Sequence, residues 1–91
     1  MNRKFIAELA GIINKIDSDK LANDFLTNIL TPAELEEISN RLQIVKMLDK
    51  GVPQREVAKK LGVSLGTVSR GSRELKYGKG GFKKVLEMMM D

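Results

Sequence analysis

Apolar residues recur along this chain at intervals of three and four, and no stretch alternates polar with apolar in the manner of a strand. Phe5, Leu9, Ile12, Ile13 and Ile16 predict a first helix from about Arg3 to Ile16. The run DSD at 17–19 breaks it, and Asp19 is placed to cap a second helix bearing Leu21, Phe25, Leu26 and Ile29. A stronger start signal follows in LTPAEL at 30–35. Thr31 stands where an N-cap belongs, Pro32 suits the first helical position, and Glu34 completes a capping box. The third helix carries Leu35, Ile38, Leu42, Val45 and Leu48 on one stripe. Ile44 and Met47 widen that stripe, so more than one side is expected to be buried. Gly51 supplies a left-handed end, and Pro53 opens the next element. YGKGG after Lys76 is expected to be a loop, and Phe82, Val85, Leu86 and Met89 suggest a short last helix over 80–91. The pattern predicts an all-α chain of six helices in a single domain, 1–91.

Residues 54–76, QREVAKKLGVSLGTVSRGSRELK, hold two short helices joined at a glycine. Gln54–Leu61 makes about two turns. Val57 and Leu61 face inward, and the small Ala58 lets a second helix cross close by. Gly62 allows the positive φ that a tight turn between crossed helices needs. Val63 plugs the corner, Ser64 caps the second helix, and Val68 returns to the core. Together these residues stand at the spacing of a DNA-binding helix-turn-helix. A generic helical hairpin would share any one of them.

Composition narrows the choices. The 91 residues are 42% hydrophobic and 31% charged, which fits a globular chain. With three Phe, one Tyr and no Trp, the core must be Leu, Ile, Val and Met. So small a chain buries little surface alone, and the apolar faces of its first and last helices predict a homodimer. The net charge of +4 is unevenly spread: residues 1–40 hold four Lys/Arg against seven Asp/Glu, and residues 41–91 hold twelve against five. A polyanion facing the second half would account for this, as would solvated helix faces. The absence of Cys and His excludes a disulfide framework, a thiolate nucleophile, a His base and the usual zinc ligands, so neither an enzyme nor a metal site is expected. Glu36 and Glu37, adjacent on a helix, point different ways and read as solvent-facing charge. Glu8, Asn14 and Lys15 interrupt the first apolar stretch, so no signal peptide or membrane span is expected and the compartment expected is the cytoplasm.

A helix-turn-helix sets the N-terminal end of its second helix in the major groove. Leu65, Gly66, Thr67 and Ser69 are the residues presented there. Arg73, with Gln54 and Arg55 from the first helix, has the reach for two-pronged base contacts. Lys59, Lys60, Lys76 and Lys79 serve equally as phosphate contacts or solvated charge, and Lys59 is the expected anchor. A face so poor in long side chains implies phosphate anchoring, with water and DNA shape carrying part of the specificity.

Residues 30–76, LTPAELEEISNRLQIVKMLDKG followed by QREVAKKLGVSLGTVSRGSRELK with VP between them, resemble the Trp repressor family. The most specific pieces are LTP, R..IV..L..G, QRE and T.SRGS..LK. The first 29 residues match only in helical pattern, and the YGKGG tail looks more like a Trp-repressor-like branch. The resemblance implies an intertwined homodimer, with 1–50 as dimerisation helices, 53–76 as the helix-turn-helix and 80–91 as a C-terminal dimerisation helix. It implies a transcriptional repressor that acts on a double-stranded DNA operator, with a small amino-acid co-repressor, L-tryptophan or an analogue. Carried over residue by residue, Arg41 and Arg70 would sandwich the ligand's ring, and Arg70 would also grip a carboxylate. Thr31 would contact the carboxylate, and Gly71 would give the ring room.

Glu74 departs from the family, which has a serine there, and Asn28 replaces an apolar residue. Glu74 either pairs with a ligand's ammonium group or forms an ion pair with Arg41 or Arg70 and fills the pocket itself. Each residue has a plain structural role as well: Thr31 as a cap, Gly71 as a close-packing position, the arginines as surface cations. Arg41, amid Ile38, Leu42 and Val45, would be costly to bury without a task. Two other classes stay open. One is a ligand-independent or non-specific, architectural DNA-binding protein; the other is a protein-interaction module that ignores DNA.

Overall fold

The computed structural model describes residues 1–89 and contains six helices, with no strand among the described residues. They are α1 Arg3–Lys15, α2 Asp19–Ile29, α3 Pro32–Asp49, α4 Gln54–Leu61, α5 Leu65–Tyr77 and α6 Gly81–Met88. The chain divides into two compact units, Met1–Glu36 and Glu37 onward.

In the first unit, side-chain caps set the helix starts. Asn2 accepts from the Lys4 and Phe5 amides at 2.9 and 3.2 Å, a cap that the apolar spacing did not reveal. Ser18, not Asp19, caps α2, its hydroxyl accepting from Leu21 N–H at 3.1 Å. Asp19 is instead the first helical residue, where a negative charge suits the positive end of the helix. The capping box of α3 is complete: Thr31 Oγ1 accepts from Glu34 N–H at 3.2 Å, and Glu34 Oε1 accepts from Thr31 N–H at 2.9 Å. The Thr31 backbone N–H, and after it the Thr31 hydroxyl, hold the Glu34 carboxyl below the usual carboxylate range. Neither α1 nor α2 buries a residue in the single chain. Phe5 is 71% exposed and Ile13 50%, on a stripe that also holds Leu9 and Ile12.

The second unit has a small, dense core. Ile44 of α3, Val57 of α4 and Val68 of α5 are fully buried together, with Met47, Leu48, Val52, Ala58, Leu61 and Val63 packed around them. Gly51 ends α3 at φ 88°, and Val52 N–H returns to Met47 O at 3.1 Å. Leu86 of α6 is buried as well, and Lys83 Nζ reaches Asp49 Oδ1 at 2.9 Å, tying α6 to the end of α3. Tyr77 closes α5 and is 82% exposed. The last helix begins at Gly81, after Gly80 at φ 89°; residues 90 and 91 of its expected span lie outside the described residues.

Candidate functional site

The turn between α4 and α5 is three residues long, Gly62–Ser64. Gly62 adopts φ 65°, and its N–H and that of Val63 both donate to Ala58 O. Ser64 caps α5 by accepting from Thr67 N–H at 3.0 Å, and the Ser64 and Thr67 hydroxyls lie 2.8 Å apart. Buried Val57 and Val68 face each other beneath the turn, so the angle between α4 and α5 is held by packing rather than by the loop. This is a helix-turn-helix, and its leading turn, Leu65, Gly66 and Thr67, is exposed.

The two helices also carry cations. Arg55, Lys59, Arg73 and Lys76 are exposed and make no ion pair among the described residues. Lys60 pairs with Glu56 on its own helix at 3.2 Å, which leaves Lys59 as the freer lysine of α4. Two of the expected readers behave differently from the rest. Ser69 and Gln54 are half-buried, and the Ser69 hydroxyl donates to Gln54 Oε1 at 2.9 Å. No sequence signal links residues fifteen apart on separate helices; only the crossing of α4 and α5 brings them together.

Beside this head lies a cavity of about 290 Å³, lined by Glu37, Asn40, Arg41 and Ile44 of α3, by Val63, and by Thr67, Arg70 and Gly71 of α5. It brings together three of the residues expected to hold a ligand, Arg41, Arg70 and Gly71. Gly71 also has a packing duty: a Cβ there would stand 2.8 Å from Ile44 Cγ2, so a side chain at this position of α5 would crowd Ile44 of α3. Thr31 belongs to the first unit, where it is the α3 cap. Glu74 is exposed, does not line the cavity, and pairs with neither Arg41 nor Arg70 among the described residues. The acid in the cavity is Glu37, whose Oε1 accepts from Arg41 Nη2 at 3.0 Å. Glu37 thus does more than face solvent, and its spacing of four before an arginine on a helix is the signal that marks the pair. Arg41 is not buried; its side chain is 47% exposed, because it leans out along α3 toward Glu37.

The sequence profile of the family described as Trp repressor protein matches residues 4–90. The chain belongs to the Trp repressor family. Among its relatives in that family, a Trp operon repressor homolog of Mannheimia succiniciproducens is 46% identical over 74 residues, covering 80% of this chain and 69% of the relative. Another, from Actinobacillus succinogenes, is 52% identical over 54 residues, covering 58% of this chain; there the chain spans about half, 54%, of the relative's length. A crystal structure from Staphylococcus aureus assigned as a Trp repressor superposes with a TM-score of 0.88 at 26% identity, covering 97% of this chain and 88% of that one. The six-helix arrangement is therefore that of a Trp repressor. No helix among the described residues is long and apolar enough to cross a membrane.

Proposed function

We propose that this chain is a homodimeric transcriptional repressor, one head per subunit, with L-tryptophan or a close analogue as co-repressor in the cavity beside each head. The exposed leading turn of α5, set on α4 by the buried Val57 and Val68 in a chain of this family, is the observation that carries the reading. Leu65, Gly66 and Thr67 meet base edges, with Arg73, Gln54 and Arg55 beside them, and Lys59 anchors phosphate. The uncovered apolar stripe of α1 supports a second copy as the dimer partner. In that dimer the two heads stand one helical turn of DNA apart, roughly 34 Å.

The cavity suits a small zwitterion with an apolar body. Its volume lies near the lower end of small-molecule sites, roughly 300 Å³. Arg70 meets a carboxylate, Ile44, Val63 and Gly71 meet apolar atoms, and Glu37 rather than Glu74 is the acid at hand for an ammonium group. Thr67 lines the cavity and stands in the leading turn of α5, which supports a coupling of ligand and DNA through that turn. A ligand that favours the DNA-competent head must be bound more tightly in turn when DNA is present.

One observation favours a second reading, ligand-independent DNA binding: Arg41 already has a partner in Glu37. That pair is half-exposed and worth only about 0.3–0.5 kcal/mol, so a ligand can displace it at small cost. Calorimetric titration with L-tryptophan, alone and with a duplex selected from a random pool, separates the two. Tighter binding in the presence of the duplex supports gating; equal affinities remove it; indifference to every duplex at moderate salt removes the repressor. Thr67→Ala and Arg73→Ala should weaken the selected duplex more than a scrambled one, whereas Lys59→Ala weakens both alike and lowers the salt slope by about one.

A further inference from the structure

We propose that Ser69 acts on DNA through Gln54, turning that residue's amide so that its NH₂ end is the one offered to the duplex. Resting on the DNA-binding reading above, this makes Ser69 a positioning residue rather than a reader. The Ser69 hydroxyl donates to Gln54 Oε1 at 2.9 Å, joining the middle of α5 to the first residue of α4. Both residues are half-buried, while Arg55, Leu65, Gly66, Thr67 and Arg73 around them are exposed. A serine within a helix commonly bonds back to the carbonyl one turn earlier; here its proton goes to the other helix instead.

Two consequences follow from that bond. The Ser69 proton is committed, so its oxygen offers DNA only lone pairs, which a phosphate repels. The Gln54 oxygen is likewise engaged, while Nε2 has no partner among the described residues and keeps both donors. A free glutamine amide can turn over and exchange its two ends; one accepting from Ser69 holds its oxygen inward. A pair of donors suits a phosphate oxygen or the N7 and O6 acceptors of guanine. Adenine requires the amide oxygen as an acceptor too, so Ser69 biases Gln54 away from adenine.

The test uses the intact protein, a selected duplex and a scrambled one at fixed salt. Ser69→Ala and Gln54→Ala should each lower the ratio of selected to scrambled affinity by about threefold to tenfold. The double variant should lose no more than either alone, and Ser69→Thr, which keeps the hydroxyl, should restore the ratio. Losses that multiply in the double variant overturn the proposal, because they mean two independent DNA contacts.

Amide hydrogen exchange at Val57 and Val68 in the free protein reads the contact without DNA. It should quicken equally in the two alanine variants. In Gln54→Glu, which keeps the acceptor for Ser69 but loses the donors, exchange should stay native while the selected duplex is lost. Native exchange in Ser69→Ala overturns the contact whatever DNA does. A native protein with no preferred duplex overturns the functional reading, and exchange that still changes as expected would locate the failure there.

Discussion

A methyl group added at position 62 would touch nothing, yet the glycine there is required by the backbone. Its φ of 65° lies where a Cβ crowds the following carbonyl, at a cost of about 1–2 kcal/mol. Gly62→Ala should therefore lower unfolding stability by about that amount in urea titrations. Gly66, four residues on, has an ordinary helical backbone and open space, with only Ser64 Oγ at 3.8 Å from the added carbon. Gly66→Ala should raise stability by about 0.5–1 kcal/mol through helix propensity. Glu34 gives a prediction in pH. Its carboxyl is held below the usual range by Thr31, so it stabilises the folded state at neutral pH; that contribution disappears as pH falls through the carboxylate range and into the depressed folded pKa. Unfolding midpoints of Glu34→Gln should match the native protein at low pH and fall below it near neutrality.

Between helices, Gly71 fits closely against Ile44. Gly71→Ala should overpack this crossing and destabilise by about 1–3 kcal/mol. Combining it with Ile44→Ala should cost less than the two single losses added, which a double-mutant cycle in urea would measure. The same crossing explains what could be read in advance and what could not. The starts of α3 and α5 and the ends of α3 and α4 were legible because Thr31, Glu34, Gly51, Gly62 and Ser64 act on backbone within a turn of themselves, whereas the caps Asn2 and Ser18 were not picked out. The inward valines were legible too, since 3.6-residue spacing fixes which positions share a face. That Arg41 stays half-exposed beside Ile38, Leu42 and Val45 was not legible, because its stripe does not say which way a long side chain leans. Cavity membership of Glu37, Asn40 and Val63, and the Ser69–Gln54 bond, depend on where α3, α4 and α5 meet, which no local pattern encodes.

For the molecule as a whole, the decisive feature is that α1 and α2 bury nothing in one chain. An intertwined dimer would cover Phe5, Leu9, Ile12 and Ile13, and folding would then depend on protomer concentration. The thermal midpoint should rise with protein concentration, and Ile13→Glu should shift sedimentation toward the monomer while weakening the selected duplex. A midpoint independent of concentration would count against a dimer. One further property comes from Tyr77, exposed at the end of α5 in a chain that contains no tryptophan. The protein supplies no indole emission of its own. Light emitted by an indole in its presence comes wholly from the added molecule, so binding of an added indole can be tested optically, without a label, by exciting beyond the absorption of Tyr77.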